Sequence, residues 1–108
     1  MKSIQIFICL IFLAGNVVAQ SDSTAHFPVQ GLCGMCKQRI ERGILGKGVK
    51  YANWNVDSKI LTVVYKTAKI NLQGVHERVA ALGHDTELVK ADNKVYDKLH
   101  GCCKYRTE

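Results

Sequence analysis

Proline, aromatic side chains and acid are all scarce in this chain: one proline, one tryptophan, an aromatic share of 7% and nine acidic residues against fifteen Lys and Arg. The basic residues are spread along the chain with no aromatic-basic motif, which argues against nucleic-acid binding. No Ser-His-Asp arrangement, catalytic carboxylate pair or phosphate-cradling loop stands out, so the sequence reads as a binding protein and not an enzyme. No repeat or low-complexity tract interrupts it. The one long apolar run, Ile4 to Leu13, is too short for a comfortable membrane span.

That run has a positive start in Met1-Lys2 and ends in Val17-Val18-Ala19, small residues of the kind recognised before cleavage. Residues 1–19 therefore read as a secretory signal peptide, which takes Cys9 with it and makes the mature protein periplasmic or secreted, with no stable membrane insertion afterwards. The remaining 89 residues suffice for one small domain, not two. Lys2 is the one charged residue removed, so the formal charge falls from +6 to +5, which favours acidic partner surfaces. The expected organisation is a polar linker over 20–25, a domain over 26–91 and a C-terminal Cys-Cys tail over 92–108.

Four cysteines survive: Cys33, Cys36, Cys102 and Cys103. In an oxidising compartment an even count usually signals disulfides, but adjacent Cys102 and Cys103 can bridge each other only through a strained ring. Cys33 and Cys36 form a CxxC where a strand-like run gives way to a helical pattern. Both sulfurs then lie near unpaired N–H groups and the positive end of the helix dipole, which favours thiolates. Converging thiolates suit Cu(I), Zn(II) or a similarly soft ion such as Hg(II).

Around this motif the pattern predicts a strand over 26–31, with Phe27 and Val29 on one face, and a helix from Cys33 to about Leu45 carrying Cys36, Ile40 and Ile44 at i, i+4 and i+8. A half-buried strand over 49–56 and another over 60–66 follow. Asn71 caps a second helix bearing Leu72, Val75, Val79 and Leu82, and Gly83 ends it. A fourth strand is expected from about Thr86 to Ala91. The order is βαββαβ, an α+β ferredoxin-like sandwich with a short C-terminal extension. In that tail Val95, Tyr96 and Leu99 have helical spacing and are expected to cover apolar surface such as the Ile60 and Val64 face. Alternation puts Trp54 and Tyr65 in the core, while His26 and His76 read as surface residues.

Over residues 27 to 91 the sequence resembles the heavy-metal-associated domain family. The likeness is carried by Cys33-Gly34-Met35-Cys36 with Arg39-Ile40-Glu41, Gly48-Val49, Thr62-Val63-Val64-Tyr65 and Ala81-Leu82-Gly83-His84-Asp85. The resemblance implies a metallochaperone or metal buffer, similar to exported copper-chaperone-like or mercury-binding periplasmic proteins. Such a protein is expected to be a monomer that carries its ion to a metal-transporting membrane protein or efflux component by thiolate exchange, with Cys33 the more exposed, mobile ligand. Where this family has Met beneath the metal loop the chain has Leu32, which is expected to take over its packing.

The alternating topology brings the His84 loop to the CxxC end, where a histidine can be a third ligand, a hydrogen-bond donor or an exposed loop residue. Cys102 and Cys103 are candidates as ligands, as redox partners of the CxxC pair or as a separate thiol site. Their segment is expected to start at the pole opposite the CxxC, close enough to reach back, with His100 joining if the tail does. The candidate metal ligands are thus Cys33, Cys36, Cys102, Cys103 and His84. The alternative function is a thiol-disulfide oxidoreductase using the CxxC and Cys-Cys pairs. A thioredoxin-like site is disfavoured, because the strand-helix order differs and the single proline, Pro28, precedes the motif. A structural zinc clip is a third reading.

Overall fold

The computed structural model describes residues 21–107; the segment read as a signal peptide, with Cys9, lies outside the described residues. Strand β1 (Asp22–Pro28) leads to helix α1 (Gly34–Ile44), strands β2 (Val49–Trp54) and β3 (Ile60–Lys66), and helix α2 (Leu72–Ala81). The tail forms a short helix α3 (Asn93–Asp97) and one 3-10 turn, Gly101–Cys103. No helix of the described residues is long and apolar enough to cross a membrane.

The sheet is antiparallel in the order β1-β3-β2. β3 takes the centre because alternation gives it a wholly apolar inner face, Leu61, Val63 and Tyr65, while its β-branched outer residues suit a pleated surface. Helix α1 lays Cys36, Ile40 and Ile44 onto that face, as their spacing predicts. Val75 and Val79 of α2 close the layer. Trp54 fills the middle, its indole N–H donating to the carbonyls of Val29 and Lys59 at 3.0 and 3.1 Å. Ile40 has no exposed surface, so Ile40→Ala should lower the unfolding free energy by about 2–5 kcal/mol, measurable by urea denaturation.

Helix α1 ends in an abrupt turn where Gly46, Lys47 and Gly48 all take positive φ. Three carbonyls there, of Ile44, Gly46 and Lys47, accept from the Arg78 guanidinium of α2, which ties α2 to the C-terminal end of α1. Asn71 caps α2 as expected, its Oδ1 accepting from the Gly74 N–H at 2.7 Å.

Five expectations need correction. β1 begins at Asp22, so most of the 20–25 segment is strand and not linker. Its polar residues pair along β3, Asp22 opposite Lys66 through Ala25 opposite Val63, and that ladder outweighs their weak strand preference. The fourth strand shrinks to a single bridge between Val29 and Thr86. The Thr86 hydroxyl accepts from the N–H groups of Leu88 and Val89, and the Thr86 N–H donates to the Val89 carbonyl, so the chain turns where a strand was expected.

That turn also moves the tail. Ala91 comes back beside Asp85, whose Oδ1 accepts its N–H at 2.7 Å, so the tail starts at the CxxC pole and not opposite it. It covers that pole, leaving Ile60 and Val64 half-exposed. Finally, His76 is buried; it stacks on Phe27 with ring centroids 3.8 Å apart and shares a 2.7 Å hydrogen bond with the Thr86 hydroxyl.

Candidate metal centre

The loop from β1 into α1 is held by a close approach. Gly31 is buried against Trp54, and a Cβ on it would lie 2.9 Å from the indole ring and 3.2 Å from the Cys36 Cβ. With Gly31 filling the position under the loop, Leu32 turns outward and is 45% exposed, so it does not take over the packing role. Cys33 is the N-cap of α1, half-exposed, and Cys36 is buried one turn on.

The two cysteines differ in acidity. Hydrogen bonds from the backbone N–H groups of Met35 and Cys36 at the open end of α1 lower the Cys33 pKa. Cys36 goes the other way: burial, then the neighbouring Cys103 sulfur, raise it despite a 3.4 Å hydrogen bond from the Leu32 N–H. The helix end therefore favours one thiolate, not both, because the second sulfur has left solvent.

Cys103 completes a cluster. The Sγ atoms of Cys33, Cys36 and Cys103 all lie within 4.8 Å of one another. A trigonal ion with metal–sulfur bonds of about 2.3 Å spaces its sulfurs roughly 4 Å apart, so small adjustments would close this set on one ion. Cys102 stays outside: its exposed thiol donates to the Met35 thioether at 3.3 Å, and its carbonyl accepts from the Cys33 thiol at 3.5 Å. Neighbours in a 3-10 turn point about 120° apart, so one of the pair faces inward and the other out. His100, at the start of the turn, is exposed and outside the cluster.

His84 lies outside the sulfur cluster too. It is buried, its Nδ1–H donates to the Gln30 carbonyl at 2.7 Å, and its ring stacks on Tyr105 with centroids 5.6 Å apart. Burial, partly countered by the Gln30 bond, lowers its pKa and keeps it neutral. Its Nε2 finds no hydrogen-bond partner among the described residues.

Sequence reasoning missed how the tail is fastened. The Tyr105 hydroxyl donates to the Gly83 carbonyl at 2.7 Å and accepts from the Asp85 N–H at 2.8 Å. Arg106 grips both Asp85 carboxylate oxygens at 2.7 and 3.1 Å, the Ala91 carbonyl at 2.7 Å and the Tyr96 ring by cation-π contact. Arg106 holds the Asp85 carboxyl below its ordinary value of 3.8, against the opposing push of burial. A lowered folded-state pKa contributes stability that is complete above the unfolded value and is lost as pH falls through the folded one. Asp85→Asn should therefore loosen the tail by about 1.5–3 kcal/mol at pH 7 and erase its acid-linked release below about pH 4, both readable by hydrogen exchange at the Ala91 and Arg106 amides.

The profile of the heavy-metal-associated domain matches residues 27–85. No curated protein matches the chain. Among solved structures, the chain is similar to a CopZ metallochaperone, at 26% identity and a TM-score of 0.56, covering 59% of this chain and 98% of that one. It is also similar to the water-soluble region of the P-type ATPase CopA from Bacillus subtilis, at 27% identity and a TM-score of 0.58 over 64% of this chain; it spans 47%, about half, of that region. A third is the N-terminal domain of a potential copper-translocating P-type ATPase from Bacillus subtilis in the Cu(I)-loaded state, with 28% identity, a TM-score of 0.57 and coverage of 61% and 85%.

Proposed function

The chain belongs to the heavy-metal-associated domain family, and on that premise we propose that it is an exported carrier or buffer of a soft metal ion, Cu(I) before Hg(II) or Zn(II). The observation that carries the reading is the convergence of three sulfurs, Cys33, Cys36 and Cys103, on one pole. Cu(I) takes thiolate ligands in such small numbers, whereas a structural zinc site needs a fourth ligand, and the cluster holds three. The similar proteins named above are a metallochaperone, a soluble region of a P-type ATPase and the Cu(I)-loaded domain of a potential copper-translocating P-type ATPase, which supports copper as cargo and a metal-transporting membrane protein or efflux component as recipient.

Exchange follows from the asymmetry of the site. Cys33 is the outermost sulfur and the one whose pKa is lowered, so it is the ligand that an incoming partner thiolate displaces: a metal–sulfur bond to the partner forms as the Cys33–metal bond breaks, and the freed Cys33 sulfur returns to the helix N–H groups. Cys36, buried, is the last to let go. Lys59 reaches the Leu32 carbonyl beside the loop at 3.4 Å, and Arg39 and Arg42 line a shallow cleft along α1 with the exposed Met35, basic groups suited to an acidic partner surface. Residues 1–19 act as the export signal, giving a periplasmic or secreted protein.

Anaerobic titration of the reduced protein with Cu(I), Zn(II) and Hg(II) tests the reading. One equivalent of a soft ion, bound tightly and only with the CxxC intact, is expected; no stoichiometric binding, or insulin reduction with turnover and no metal, would defeat it in favour of a thiol-disulfide oxidoreductase.

A further inference from the structure

Each sulfur of the cluster finds its hydrogen-bond donors in a different place. Cys33 has the opening N–H groups of α1, and Cys36 has the Leu32 N–H at 3.4 Å. Cys103 sits in a 3-10 turn whose own N–H is spent on the His100 carbonyl, and among the described residues no backbone N–H donates to its sulfur, although it lies beside the first turn of α1. Its donor is a charged side chain: Nη1 of Arg39 reaches the Cys103 Sγ at 3.2 Å across a sequence separation of 64 residues. Arg39 lies three residues beyond Cys36 on α1, on the same helix face, so the helix that carries one buried sulfur also delivers a guanidinium to the other.

We propose that Arg39 is a positioning residue that keeps Cys103 in the site as the third ligand and offsets the charge this ligand adds. The inference rests on the reading of Cys33, Cys36 and Cys103 as a soft-metal site. A monovalent ion with two thiolates carries one net negative charge, and a third thiolate makes it two. Cys36 and Cys103 have no exposed surface, so water cannot screen that extra charge well. A guanidinium stays protonated at any working pH, and an N–H···S contact uses a lone pair that the metal does not need, so the contact persists in the loaded site. Lacking it, the site falls back to the two-coordinate CxxC.

The test compares Cu(I)-loaded wild type, Arg39→Met, Arg39→Lys, Cys103→Ser and the Arg39→Met/Cys103→Ser double variant. X-ray absorption counts the sulfurs, competition against a chelator of known affinity measures retention, and circular dichroism checks the fold. Three sulfurs are expected in wild type and two in Arg39→Met, with retention down about 10–100-fold, the scale on which outer partners of metal ligands act. Arg39→Lys keeps the charge and should recover the third sulfur and most of the retention. Once Cys103 is Ser, the Arg39 change should add nothing, so the two effects are coupled and not additive.

Three sulfurs and unchanged retention in Arg39→Met would overturn the inference. So would a lysine variant no better than the methionine one, or an Arg39 effect that survives in the Cys103→Ser background. Wild type with two sulfurs overturns it while leaving the metal-binding reading intact; wild type that binds no soft ion at all defeats that reading instead. If Arg39→Met unfolds, the lysine variant and the wild-type sulfur count still decide.

Discussion

Cys33→Ser/Cys36→Ser is expected to abolish stoichiometric soft-metal binding while leaving the domain folded. Both sulfurs enter from the first turn of α1, and what remains, Cys103 with an exposed Cys102, is a single inward thiol and cannot chelate. The fold should survive because the core is closed by Ile40, Ile44, Trp54, Leu61 and Val63, with Cys36 a small part of it. Replacing the buried Cys36 sulfur by a hydroxyl should cost about 1–3 kcal/mol, measured as a shift in the urea midpoint. Retention of one tightly bound Cu(I) by the double variant would show that the ion sits elsewhere.

Cys103→Ser should give the second largest loss: the ion stays bound by Cys33 and Cys36, the sulfur count drops from three to two, and retention against a chelator falls by about as much as in Arg39→Met, ~10–100-fold. Cys102→Ser should change retention little, since its thiol faces Met35 at the rim. This substitution is cleaner than deleting the tail after Leu99. Deletion also removes Tyr105 and Arg106, which hold Gly83 and Asp85, so affinity and fold would change together.

What the sequence revealed and what it hid divide along physical lines. Helix α1 was legible because Cys36, Ile40 and Ile44 repeat at helical spacing, and the core strand because Leu61, Val63 and Tyr65 alternate. The CxxC stood out from its own spacing. The tail was opaque because its path depends on one local event, the Thr86 hydroxyl capturing the Leu88 and Val89 N–H groups, which turns the chain away from the sheet. From that turn follow the approach of Cys103, the grip of Arg106 on Asp85 and the burial of His76 beneath Thr86. A closer reading of α1 had one signal to offer: Arg39 stands at i+3 from Cys36, a charged residue on the cysteine face of an amphipathic helix.

The most direct measurement is thiol alkylation of the Cu(I)-loaded protein under anaerobic conditions, read residue by residue by mass spectrometry. The structure predicts that Cys102 is modified quickly while Cys33, Cys36 and Cys103 are protected together and released together when a chelator removes the ion. Modification of Cys103 as fast as Cys102 in the loaded protein, with the metal still bound, would contradict a three-sulfur centre.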